Sequence, residues 1–197
     1  MMRSLFLLLC LVSAAVHAET VPSAPPDDWG LPQLMRALAQ VQTSQGKFVE
    51  RKFLSVLNKP LESSGTLSFR APDHLEKHTL APLTENLVLD GGVLTIDNPA
   101  RNIRRTLVLQ EYPAVWAFVE SIRSTLAGDL PTLQRFYAVS LEGDAAKWRL
   151  QLSPIEQRTR EMVREIVIAG RDNRVTSIEM RESNGDRSSM RVTEDTQ

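Results

Sequence analysis

His74 and His78 are the only histidines beyond residue 18, and Glu76 stands between them. Four-residue spacing would put both rings on one face of a helix. The surrounding run His74-Leu75-Glu76-Lys77-His78-Thr79-Leu80 alternates polar and apolar instead, which is a strand pattern. Even spacing then also places His74, Glu76 and His78 on one face, two positions apart. A zinc ion needs a fuller set, and the single cysteine, Cys10, lies in the leader. The three residues therefore read as a polar, solvated strand face, and no metal is expected.

Nucleophilic chemistry finds no better footing. No Gly-x-Ser-x-Gly turn occurs, and no Ser, His and Asp order suggests a triad. Asp90-Gly91-Gly92 lacks the following helix and lysine of a phosphate loop and reads as a hairpin turn. Glu and Arg alternate along 156–165, which reads as an exposed edge. No catalytic residue, cofactor or enzymatic activity is expected.

The chain's address is clearer. Arg3, the apolar run Leu5 to Val12 and Val16-His17-Ala18 form a secretory signal, with cleavage expected near Ala18. The run is too short to span a bilayer. Acylation at Cys10 is disfavoured because the bulky Leu9 precedes it. The remaining chain has no cysteine, so an exported domain without disulfides is expected, which suits the bacterial periplasm. The 23 basic and 24 acidic residues nearly balance and form no basic stripe, so no nucleic acid partner is expected.

The elements that would carry a site follow from periodicity. Residues 19–29 hold three prolines and read as a mobile leader, followed by one domain over 30–197. Leu31, Leu34, Met35, Leu38 and Val41 predict a helix that ends at Ser44-Gln45-Gly46. Alternating runs predict strands at about 47–57, 62–70, 74–80, 84–90, 93–97 and 103–110. Pro113 opens a second helix over 114–126, followed by a short helical piece, 130–135. Strands resume at about 136–143, 147–153, 162–169, 174–182 and 187–193. The fold class is mainly β: one open antiparallel half-barrel of ten or eleven strands, with the helices plugging its concave face. A closed barrel accommodates the central helical insertion less well.

In-phase apolar residues are Leu67 and Phe69, Leu87 and Leu89, Leu107 and Leu109, and Trp148, Leu150 and Leu152. Trp116, Phe118, Val119 and Ile122 give the central helix a bulky side. Periodicity alone favours an ordinary core; the functional reading is a cavity for an acyl chain.

Gly65-Thr66-Leu67-Ser68-Phe69-Arg70-Ala71-Pro72, then Leu87-Val88-Leu89-Asp90-Gly91, then Arg187-Ser188-Ser189-Met190-Arg191-Val192 carry a resemblance. Together with the signal peptide and N-terminal helix they resemble the LolA family of periplasmic lipoprotein carriers. The resemblance implies an open half-barrel lidded by helices, whose apolar cavity takes lipid acyl chains. It implies a monomer with an inner-membrane releasing or exporter complex on one side and an outer-membrane acceptor on the other. The cavity would be lined by Leu67, Phe69, Leu87, Leu89, Leu107, Trp116, Val119, Ile122, Trp148 and Leu150, with Arg70 at its mouth. Helix 114–126 would be a movable lid, with Trp116, Val119 and Ile122 turned towards the sheet. Two departures stand out. The family's lid-holding arginine falls on Ala71, and the chain stops at Gln197, without the extra C-terminal segment of the general carrier. Both imply a divergent member that serves another lipid-like cargo, alongside a dedicated exporter. A lipid-sensing regulatory module is the alternative on this scaffold, and an enzyme for a hydrophobic substrate is the less favoured one.

Overall fold

The computed structural model describes residues 29–194. The signal segment 1–18 and the leader up to Asp28 lie outside the described residues.

Helix α1 spans Leu31–Ala39, with Pro32 in its first turn and Leu34, Met35 and Leu38 buried along one face. Strand β1, Thr43–Phe53, begins earlier than the sequence predicts. The cause is Gly46, which is not a helix terminator but a strand residue between two close neighbours. It pairs with Leu67 on one side and Glu194 on the other. A Cβ there would come 2.8 Å from the Thr193 carbonyl oxygen.

The meander continues through β2 (Leu61–Arg70), β3 (His74–Ala81), β4 (Glu85–Asp90), β5 (Val93–Asn98) and β6 (Ile103–Val108). A 3-10 turn, Leu109–Glu111, replaces the expected end of β6 and buries Leu109. Helices α2 (Pro113–Leu126) and α3 (Leu130–Phe136) form the insertion. Strands β7 (Tyr137–Asp144) and β8 (Lys147–Pro154) follow. Residues expected to be an exposed edge instead include a short helical turn, α4 (Gln157–Arg160), which buries Thr159. Strands β9 (Val163–Arg171), β10 (Arg174–Glu182) and β11 (Arg187–Glu194) complete the sheet.

All eleven strands form one sheet in the order β6-β5-β4-β3-β2-β1-β11-β10-β9-β8-β7. Every neighbouring pair is antiparallel. The fold is a mainly β, open sheet with helices on one face. Its two edges, β6 and β7, are the strands that flank α2 and α3. The insertion therefore runs from one edge to the other. No helix among the described residues is long and apolar enough to cross a membrane.

The core fills one half of the sheet. Trp148, Leu150 and Leu152 of β8 and Ile166 and Ile168 of β9 pack with Leu34, Met35 and Leu38 of α1, Leu133 of α3 and Tyr137. Polar handles there are satisfied: the Tyr137 hydroxyl donates to the Ala117 carbonyl (3.0 Å), and Trp148 Nε1 donates to the Asp172 carbonyl (3.0 Å). Burial pushes the Tyr137 phenol up from its usual range.

Leu150 is fully buried, whereas Leu67 on β2 is only half-buried. Leu150→Ala is expected to cost about 2–5 kcal/mol of stability through the cavity it leaves. Leu67→Ala should cost about 1 kcal/mol or less, because it removes little from water. Urea unfolding of the two variants measures both, and equal losses would mean that β2 faces a filled core.

Candidate functional site

The other half of the helix-facing surface is not filled. A cavity of about 240 Å³ lies between the helices and the centre of the sheet. Strand register explains its wall. Gly46, Leu67, Lys77 and Leu87 form one row across β1 to β4, and Ser44, Phe69, Leu75 and Leu89 form the next. Leu67, Phe69, Leu75 and Leu87 border the cavity on that side. Ile178 and Met180 of β10 and Met190 and Val192 of β11 border it on the other. Leu38 of α1 closes one end, and Phe118, Ile122 and Leu126 of α2 form the roof at i, i+4 and i+8. Phe118 and Met180 also border a second cleft of about 380 Å³, which continues past Val115 to Met162.

Of the residues read from the sequence as cavity-lining, Leu67, Phe69, Leu87 and Ile122 border the cavity. Leu89, 3% exposed, sits in the same row as Phe69 but does not reach the space. Leu107, two strands further out, pairs with Leu94. Trp148 and Leu150 lie within the packed core under α1. Arg70 is exposed at the end of β2.

Helix α2 presents a different face from the one expected. Trp116 packs edge-on against Phe136, with ring centres 5.2 Å apart, and its Nε1 donates to Glu120 (3.3 Å). Val119 is half-buried and off the cavity wall. The buried stripe of α2 is Ala117, Glu120, Ser121, Ser124 and Thr125. Its hydroxyls are satisfied locally: Ser121 Oγ donates to the Phe118 carbonyl (2.6 Å) and Thr125 Oγ1 to the Ser121 carbonyl (2.6 Å). Small residues let α2 approach α1 closely. At its end Gly128, with φ +66°, comes so near that a Cβ would lie 2.2 Å from the Met35 carbonyl oxygen. The signal for this stripe was the recurrence of small residues at 117, 121, 124 and 128, which apolar periodicity does not register.

The family model described as "Outer membrane lipoprotein carrier protein LolA-like" matches residues 23–193. The chain belongs to this LolA-like family. No curated protein matches it by sequence. Among solved structures it is similar to a LolA superfamily protein from Nitrosomonas europaea, at 10% identity and a TM-score of 0.45, covering 83% of this chain and 91% of that one. A putative outer membrane lipoprotein-sorting protein domain from Vibrio parahaemolyticus gives 9% identity and 0.44, over 85% and 92%. The MucA/MucB complex of Pseudomonas aeruginosa gives 15% identity and 0.47, over 84% of this chain and 57% of that one.

In this LolA-like chain the helical roof is braced by charge. Arg123 Nε donates to Glu120 Oε2 (2.8 Å), and its Nη2 reaches Asp129 Oδ2 (3.2 Å) at the start of α3. Arg123 Nη1 donates to the Pro72 carbonyl (3.1 Å), tying the roof to the β2–β3 turn. Arg123 was not singled out from sequence, and it reaches the turn next to Ala71 from the helix side. Burial alone would lower the Arg123 pKa, but Glu120 and Asp129 outweigh it and hold it above its ordinary value. Burial likewise works to raise Asp129, while hydrogen bonds from Thr132 and Arg123 outweigh it and hold that carboxyl below its usual range.

His74, Glu76 and His78 share a face, as alternation requires, and it is the face opposite Leu75 and Lys77. Glu76 accepts from both rings (2.7 Å each), and His78 Nδ1 lies 2.9 Å from Asn86 Oδ1. Contact with Asn86 and then Glu76 raises the His78 pKa, and hydrogen bonds from His78 and then His74 lower that of Glu76. Among the described residues no group of three or more His, Cys, Asp or Glu is placed to hold a metal.

Removing Arg123 strands Glu120, which is 8% exposed. Arg123→Met is expected to destabilise by about 3–5 kcal/mol, and Arg123→Met with Glu120→Met by clearly less. Hydrogen exchange of the single variant should quicken in 113–126 before it quickens in β2 and β4. Equal exchange in roof and strands would show that the roof is part of the rigid core.

Proposed function

We propose that the protein is a periplasmic carrier that takes acyl chains of a lipoprotein or lipid-like cargo into this cavity. It moves that cargo from an inner-membrane releasing or exporter complex towards an outer-membrane acceptor. The observation that carries this reading is the unfilled, mostly apolar space under α2. Side chains normally pack interiors to crystal-like density, and apolar spaces left open take apolar ligands. Membership of a lipoprotein-carrier family supports the same reading. Each buried methylene contributes about 0.8 kcal/mol, so a short stretch of chain gives binding that is useful and still reversible. Reversibility is what a carrier needs, because its cargo must be handed on.

Leu87 and Ile122 face the cavity from opposite sides and are half-buried, so a charge there is tolerated by folding better than one in the core. An unpaired charge in an apolar space opposes chain entry. Leu87→Glu and Ile122→Glu are each expected to weaken uptake of a fluorescent acyl ester roughly tenfold or more. Circular dichroism should show both folded. Folded variants that bind like the parent would place the cargo elsewhere.

A further inference from the structure

The mostly apolar cavity wall carries one lysine, and it is paired. Lys77 of β3 and Glu50 of β1 both border the space, and Lys77 Nζ donates to Glu50 Oε2 at 2.5 Å. The two side chains are only 24% and 19% exposed. The ammonium also lies over the Phe48 ring, 4.9 Å from its centre. Strand β2 runs between them, and the inward position there is Gly65, paired with Phe48 and Thr79. Gly65 has no side chain to stand between Lys77 and Glu50. A Cβ at Gly65 would stand 1.9 Å from the His78 carbonyl oxygen, so the backbones of β2 and β3 approach closely at this point.

Such a pair is a poor device for stability, since its desolvation offsets its attraction. It is suited to reading a ligand. An ammonium has three donors, and one goes to Glu50; the other hydrogens have no protein acceptor among the described residues. While the cavity is wet, water satisfies them. Once an acyl chain enters, water leaves, and an unsatisfied donor becomes costly. The cargo must then bring an acceptor with it.

Charge decides which acceptor. Lys77 and Glu50 together are neutral; of the further acids on the wall, Glu194 meets Arg174 at 3.3 Å and Glu76 is held by His74 and His78 at 2.7 Å each. A carboxylate would add a second negative charge beside Glu50 in a nearly dry space, which is disfavoured. A carbonyl adds none. We propose that Lys77 and Glu50 form a polar subsite that reads the neutral carbonyl linkage, ester or amide, at the head of an acylated cargo. The subsite discriminates against the free fatty acid. This rests on the acyl-cavity reading above.

The test uses the mature protein and three probes with one fluorescent long acyl chain: the free acid, its methyl ester and its N-methyl amide. At neutral pH the wild type is expected to favour ester and amide over acid. That preference should exceed by roughly tenfold the one shown by the paired variant Lys77→Met with Glu50→Leu, which removes both charges. Glu50→Gln leaves Lys77 as a net cation and should shift the preference towards the acid. The paired variant should still bind all three chains, whereas Lys77→Met alone leaves Glu50 as a net anion and should weaken the ester and amide while disfavouring the acid further. An unchanged ratio of acid to ester in folded Glu50→Gln, with tight chain binding retained, overturns the subsite and leaves the acyl cavity standing. Failure of the wild type to bind any of the three overturns both.

Discussion

The pairing of β1 with β11 is the constraint on which the rest depends. Phe48 meets Val192 and Gly46 meets Glu194 in the middle of the sheet, so the chain's first and last strands close its centre. The free edges must then fall to strands from the middle of the sequence, β6 and β7. Any segment that joins those two edges has to cross a face of the sheet. The helical insertion does so, and α1, entering just before β1, lies on the same side. Coverage of one face by α1, α2 and α3 is thus a consequence of strand order.

That covered face divides unevenly. Over β8 and β9, α1 and α3 supply Leu34, Met35, Leu38 and Leu133, and large strand residues fill the space between. Over β1 to β4 the roof is mainly α2, tied to its neighbours by Arg123 on Pro72 and Asp129 and by the Tyr137 hydroxyl on the Ala117 carbonyl rather than by interdigitating apolar side chains. Phe118, Ile122 and Leu126 therefore overhang Leu67 and Leu87 without filling the room between them. A space persists because polar contacts position the helix and small residues fix its approach to α1. Neither kind of contact draws the helix down onto β2.

The strands were legible almost residue by residue, because period-2 alternation and turn residues survive in every hairpin. The site was legible only in part. Leu67, Phe69, Leu87 and Ile122 sit where a cavity reading puts them, but Trp148 and Leu150 carry the same alternation and belong to the core. Alternation assigns a face; it does not say whether a helix presses on that face. The small-polar stripe of α2 was missed because Ser and Thr usually mark exposed or capping positions. Glu50 and Lys77 were missed for the converse reason. Glu50 continues the inward phase of Gly46 and Phe48, and Lys77 that of Leu75 and Thr79, so each is a charge in an apolar phase. That mismatch between residue type and phase was in the sequence, and it marks the polar point of the cavity.

A wholly apolar wall and one that carries a compensated pair such as Lys77 with Glu50 differ in how they release cargo. In the first, affinity rises with every methylene, and a long chain is held too tightly to leave without outside work. In the second, the pair must be desolvated whenever the cavity fills, and this opposes binding by an amount that does not grow with chain length. Only a cargo that offers Lys77 an acceptor regains part of that cost. The pair thus lowers the affinity for bare hydrocarbon more than for an acylated headgroup, which is discrimination in the sense of a difference between affinities.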